Sequence, residues 1–193
     1  MIAADRVAAI LLASGRSLRF GAADKLGAPL RGQPLVLHTA NLLARSGFAN
    51  RLAVCRRDGV AADLLGPAGF DIVMNDAPAR GIGHALSLGI RHAAGLDVDT
   101  ALLCLGDMPF VTTPHLTALL SAFDERERPI VATENAATGV VTPPILLARR
   151  EFARFVTLDG DRGGKALLQG AATVSASAEL LADIDRPDDL PAG

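Results

Sequence analysis

Short uninterrupted apolar runs alternate with segments of helical period along the first two thirds of this 193-residue chain. "RVAAILLA", "RLAVC", "DIVM" and "TALLCL" are too short for buried helices and carry no polar alternation, as strands buried on both faces require. Between them, residues 34–46 put Leu35, Leu42 and Leu43 on one stripe, with Pro34 suited to a first turn. "GHALSLGIRHAAG" offers Leu86, Ile90 and Ala93 at helical spacing and ends on Gly95. "TPHLTALLSAFDE" presents Leu116, Leu119, Leu120 and Phe123, with Thr113 as N-cap and Pro114 at the first helical position. Beyond Pro129 the pattern loosens: "PIVAT" reads as a strand, "GVVTPPILL" as an irregular strand or bend, and "RREFARFV" and "KALLQG" as short helices. The alternation predicts a three-layer α/β/α domain with a mostly parallel sheet, spanning residues 1–193 without linker, repeat or low-complexity segment.

Composition narrows the partners. A formal net charge of −2 without a basic run argues against a nucleic-acid backbone, whereas Arg16, Arg19 and Lys25 suffice for one phosphorylated small molecule. No apolar stretch approaches the ~20 residues of a membrane helix. The opening "MIAADRVAAILLASG" reads as a first strand rather than a leader, because Asp5 and Arg6 precede a short apolar run that leads into a glycine loop. Cys55 and Cys104 each lie within an apolar run, so two buried, reduced thiols are expected, and with them a cytoplasmic location.

In such a sheet, ligands bind beyond the carboxyl ends of the strands. After the first strand come Ala13, Ser14, Gly15 and Ser17, small residues that leave backbone amides approachable, with Arg16, Arg19 and Lys25 close behind. That is the chemistry of a polyphosphate loop, though neither "GK[ST]" nor G-x-G-x-x-G is present, and a plain strand-to-turn junction would carry similar residues. After "LLCL", Asp107 follows Gly106 at a strand end, either a turn former or a hard ligand for Mg²⁺ beside substrate phosphates. Asp185 follows Ile184 out of an expected strand and is a candidate second metal ligand, while Asp188 and Asp189 read as turn residues. His38, His92 and His115 have no partners at ligand spacing and read as structural.

"LLASGRSLRFGAADKL" resembles the signature loop of the MobA-like nucleotidyltransferases, and "LGDMPFV" resembles their strand-end aspartate motif. "NDAPARGIGHALSLGI", "DGDRGGKALL" and "DIDRPDDL" resemble further motifs of that family in the same order, so the likeness covers almost the whole chain. Within the family the likeness is strongest to the molybdenum cofactor cytidylyltransferases. The resemblance implies a nucleotide-diphospho-sugar transferase (glycosyltransferase-A-like) fold and transfer of CMP from CTP to the phosphate of molybdopterin, with pyrophosphate released and Mg²⁺ required. GTP as donor, or a non-catalytic carrier of the cofactor, are the other readings, and a molybdoenzyme or its maturation factor is a further partner.

By motif position, Leu12, Ala13, Ser14, Gly15, Arg16 and Ser17 would line the nucleotide together with Asn75 and Gly81. Lys25 and Arg19 would hold its phosphates, and Asp107, joined by Asp185, would hold Mg²⁺. Thr142, Pro143, Asp161 and Arg162 would face the acceptor. Two departures stand out. Ser14 replaces the alanine or glycine of relatives, and its side chain takes room a purine needs, while Thr142 and Pro143 replace glycine and His or Asn.

Overall fold

The computed structural model describes residues 2–17, 20–21, 24–160, 164 and 167–189. In chain order these residues form β1 (Val7–Ala13), β2 (Pro29–Leu30), β3 (Gln33–Pro34), α1 (Leu35–Arg45), β4 (Asn50–Arg56), α2 (Ala61–Leu65) and β5 (Asp71–Asn75). They continue with α3 (Gly81–Ala93), β6 (Thr100–Leu105), α4 (Thr113–Ala122), β7 (Ile130–Asn135), β8 (Val141–Ala148), α5 (Phe152–Phe155) and β9 (Ala172–Ala176). Seven strands make one sheet in the order β5-β4-β1-β6-β8-β7-β9. β5, β4, β1 and β6 run parallel, β8 is antiparallel to both β6 and β7, and β9 is parallel to β7.

β1 shows why its sequence is continuously apolar. Val7, Ala9, Leu11 and Ala13 pack into one cluster with Val36, Ala40 and Leu43 of α1, Leu65 of α2 and Leu116 and Leu119 of α4. Ala8, Ile10 and Leu12 point the other way, against Ala85, Leu86, Ile90 and Ala93 of α3 and Phe152 and Phe155 of α5. A strand with helices on both faces has no side left for polar residues. The expected three-layer α/β/α sandwich is therefore observed. The strands expected at "RVAAILLA", "RLAVC", "DIVM", "TALLCL" and "PIVAT" are all present, and "GVVTPPILL" is the antiparallel β8, with a register shift opposite Ala132 and Thr133.

Several expectations change. α4 begins at Thr113 with Thr112 in the extended cap position, so Thr113 is the first helical residue rather than the cap. Residues 183–185 form no strand; instead Ile184 donates its backbone N–H to the carbonyl of Asp107 at 3.0 Å, and its buried side chain joins Phe20, Leu30 and Leu35. The hairpin β2–β3, the short α2 and the edge strand β9 are additional elements. "RREFARFV" is a 3₁₀ turn followed by the single-turn α5, and much of "KALLQG" lies outside the described residues.

The histidines are structural where the structure resolves partners: His38 bridges Gln33 and the Leu30 carbonyl, and buried His115 bonds Thr133 at 2.8 Å. Both cysteines are free and buried, and burial pushes each thiol up to about 12. No described helix is long and apolar enough to cross a membrane.

α3 lies so close to the sheet that a Cβ on Gly89 would stand 2.7 Å from Cγ2 of Ile10. Gly89→Ala is expected to destabilise the fold by about 1–3 kcal/mol through overpacking, read as a lower midpoint in urea with an unchanged m-value.

Candidate active site

The carboxyl ends of β1 and β6 lie side by side, with Leu12 opposite Leu105 in the parallel register. Gly106 keeps the two chains together one residue further on. Its N–H donates to the Leu12 carbonyl at 3.0 Å, and a Cβ there would press on Val36 and on that same carbonyl, at 3.2 and 3.3 Å. Ser14 and Asp107 therefore leave the sheet as neighbours. A cavity of about 350 Å³ opens between them, lined by Leu12, Ala13, Ser14, Gly15, Arg16, Ser17, Lys25 and Asp107 and closed on its far side by Pro78, Ala79, Gly81 and Ile82.

Lys25 is the buried charge of this site, and three segments hold it. Asp24 caps the turn that carries it, accepting from the N–H of Leu26, while the second Asp24 oxygen takes Nη2 of Arg56 at 2.7 Å and the N–H of Val60. From that anchored turn Nζ reaches Oδ2 of Asp107 at 2.7 Å and Oδ1 of Asp185 at 2.8 Å. Asp185 is held in place because Ile184 bonds the Asp107 carbonyl, and because Asp189 accepts from the backbone N–H groups of Asp185 and Arg186 at 2.8 and 2.7 Å. Burial works against the ammonium, yet the charges and hydrogen bonds of Asp107 and Asp185 outweigh it and hold Lys25 above the usual lysine range.

The loop after β1 keeps unused polar capacity. Among the described residues Ser17 Oγ is buried without a hydrogen-bond partner, and its φ of 51° places a non-glycine residue in the left-handed region. Such an orphan is uncommon and points to a group that arrives with a ligand. Gly15 faces open space, so its backbone is approachable. Gly81, at φ 85°, needs glycine to turn the chain into α3.

The cavity thus brings together Leu12, Ala13, Ser14, Gly15, Arg16, Ser17, Lys25, Gly81 and Asp107, with Asp185 on Lys25. Asn75 is placed differently. It is buried behind Ser14, donating to its Oγ at 3.1 Å, and does not line the cavity. Thr142 and Pro143 lie where β8 begins, beside the end of β6 but outside the cavity wall. Arg19, Asp161 and Arg162 lie outside the described residues.

The segment leading to Asp161 is nevertheless stitched to the cavity's far wall. Gly83 donates to the carbonyl of Gly160 at 2.8 Å, Gly160 donates to that of Arg80 at 2.9 Å, and Arg80 pairs with Asp159 at 2.8 Å. Sequence reasoning passed over Asp24, Pro78, Ala79 and Ile82. Only Asp24 carried a readable signal, as an acidic cap ahead of a short turn.

Residues that leave a parallel sheet side by side at the carboxyl ends of its strands line the crevice where such sheets bind ligands. Residues 9–178 match the model of the MobA-like NTP transferase domain, and the chain belongs to that family of nucleotidyltransferases. It is 26% identical to the purine catabolism protein PucB of Bacillus subtilis over 93% of this chain and 92% of that one. It is 27% identical to a probable molybdenum cofactor guanylyltransferase of Pyrococcus horikoshii, over 76% of this chain and 71% of that one. The crystal structure of Rv0371c from Mycobacterium tuberculosis superposes with a TM-score of 0.80 at 23% identity, covering 97% of this chain and 96% of that one. That protein is also known as a complex with manganese.

Two outcomes test this geometry. Because the pKa of Lys25 rises on folding, its contribution to stability is complete below the unfolded value and is lost as pH rises through the higher folded one. The stability difference between the wild type and Lys25→Met should hold steady from pH 7 to about 10 and shrink above that, in urea titrations at each pH. A Cβ on Gly83 would fall 2.6 Å from the Gly160 carbonyl. Gly83→Ala should therefore break the stitch and speed hydrogen exchange at the amides of residues 83 and 160, with the β1 amides unchanged.

Proposed function

We propose that this chain transfers CMP from CTP to the terminal phosphate of a molybdopterin-type acceptor, releasing pyrophosphate. The observation that carries this reading is the buried Lys25 between Asp107 and Asp185, facing the Ser14–Ser17 loop across one cavity. An acceptor phosphate oxygen bonds to the α-phosphorus as the bond from that phosphorus to the bridging oxygen breaks, and pyrophosphate leaves with the electron pair. Lys25 and the amides of residues 14–17 offset charge on the triphosphate as it redistributes. Arg16, in the cavity wall, adds to this, Arg19 is a further phosphate ligand by its place in the motif, and Ser17 Oγ supplies a further donor to a phosphate oxygen. The reaction needs no protein nucleophile, and the buried thiols of Cys55 and Cys104 are kept protonated.

The donor set suits a magnesium ion. Asp107 and Asp185 offer two hard carboxylates already brought to a common cation, and Mg²⁺ is usually held by one or two carboxylates plus substrate phosphates. When bound there it would neutralise part of the triphosphate charge. Thr142, Pro143, Asp161 and Arg162 are the acceptor residues of this reading, and residue 160, next to Asp161 in the chain, is bonded to the N-terminal turn of α3. The partners are small and soluble, the setting is the cytoplasm, and the product passes to a molybdoenzyme or its maturation factor. A second reading, GMP transfer from GTP, is favoured by the name of the Pyrococcus horikoshii relative.

The test is pyrophosphate release from CTP, Mg²⁺ and molybdopterin. Asp107→Ala should lower the rate by at least about a hundredfold while the thermal melt stays cooperative, and chelating the divalent cation should stop the wild type. Undiminished turnover in Asp107→Ala would overturn the assignment.

A further inference from the structure

Beside the end of β6, the antiparallel strand β8 changes register at two consecutive prolines. Its pairing with β6 runs from Ala148 to Ile145 and stops there, opposite Leu103. Its pairing with β7 jumps from Ala132 and Ile145 to Thr133 and Thr142, so Pro143 and Pro144 bulge out of that ladder. Neither proline has an N–H to give to a neighbouring strand. The bulge is held by a side-chain bond instead: Oγ1 of Thr133 donates to the carbonyl of Pro144 at 2.9 Å.

That bond fixes the direction of the next one. A carbonyl only accepts, so the single hydroxyl proton of Thr133 is committed to Pro144, and the 2.8 Å contact between Thr133 Oγ1 and Nε2 of His115 needs its proton on the histidine. Burial lowers the pKa of His115 and favours the neutral ring, which then carries its one proton on Nε2. Both side chains are buried, so losing either bond leaves a polar atom that water cannot easily satisfy. His115 stands in the first turn of α4, which the chain reaches from Asp107 through residues 108–112, and Thr39 donates to the Met108 carbonyl at 3.2 Å within that segment. One chain of bonds, His115 to Thr133 to Pro144, therefore ties the segment that carries Asp107 to the bulge in β8.

We infer that His115 and Thr133 are positioning residues for the acceptor: by pinning Pro144 they set where Thr142 and Pro143 stand beside the end of β6. This rests on the acceptor role proposed for those two residues. Both His115 and Thr133 are buried, so they act through β8 and not on the acceptor itself. The same end of β6 supplies Leu105 to the cavity wall and, two residues on, Asp107 to Lys25. The gap between an acceptor resting on Thr142 and Pro143 and a triphosphate held at Lys25 is therefore set by how far the bulge can shift. A displacement of about 1 Å between reacting groups can cost about a hundredfold in rate.

Steady-state transfer from CTP and Mg²⁺ to molybdopterin, set beside calorimetric titration with CTP and Mg²⁺, tests this on the whole chain. Thr133→Val keeps the side-chain volume but removes both bonds. It should lower kcat/KM for molybdopterin roughly tenfold and leave the Kd for CTP within about twofold of the wild type. Thr133→Ser keeps the hydroxyl and should return kcat/KM to within about twofold of the wild type. His115→Leu leaves the bond to Pro144 but frees Thr133 to turn, so it should fall between these two, and it carries the comparison if Thr133→Val does not fold. A side chain needed only for the fold would weaken CTP binding along with the use of the acceptor. A kcat/KM for molybdopterin that is unchanged in the variants, or that falls in step with CTP affinity, overturns the inference and leaves the nucleotidyltransferase reading standing. A wild type that binds CTP but passes no CMP to molybdopterin overturns both.

Discussion

The ion triad of Lys25, Asp107 and Asp185 joins segments 82 and 160 residues apart in the chain. A buried ammonium is costly unless it is paired, and here two carboxylates are needed to outweigh its desolvation. Each partner is fixed by something else: Lys25 by the Asp24 cap and Arg56, Asp107 by the close approach of β6 to β1 at Gly106, Asp185 by Ile184 and Asp189. The site is consequently a property of the whole parallel half of the sheet, since a shift of β4, β1 or β6 would separate charges that cannot stay buried alone.

Part of this was legible in the sequence because its physical cause is local. A strand between two helical layers is apolar along its length, and "VAAILLA" and "ALLCL" are; α1, α3 and α4 announce themselves by spacing. The short α2 and the edge strand β9 carry no such signature. β9 pairs on one side only, with burial that alternates weakly, and α2 is barely more than one turn. The segment around Ile184 looked like a strand because it is apolar and brief, but its burial comes from plugging a gap among Phe20, Leu30 and Leu35 rather than from pairing in a ladder.

The site divides along the same line. Ser14, Gly15, Lys25 and Asp107 were readable from their place after strands, since a parallel sheet presents its strand ends together. What could not be read is partnership. That Asn75 lies behind Ser14 rather than in the cavity wall depends on β5 standing two strands from β1, a matter of sheet order. That Asp24 anchors Lys25 depends on Arg56, 32 residues away.

One reversed strand shapes what lies beyond the nucleotide end. β1, β4, β5 and β6 all finish at the carboxyl edge, whereas β8 starts there, so the turn between β7 and β8 hangs over the same rim. Its tip carries Gly139 at φ 68° and the exposed Val140. The reversed strand thus gives this edge a rim element of its own, separate in the sheet order from the strands β4, β1 and β6 around which the charged triad gathers.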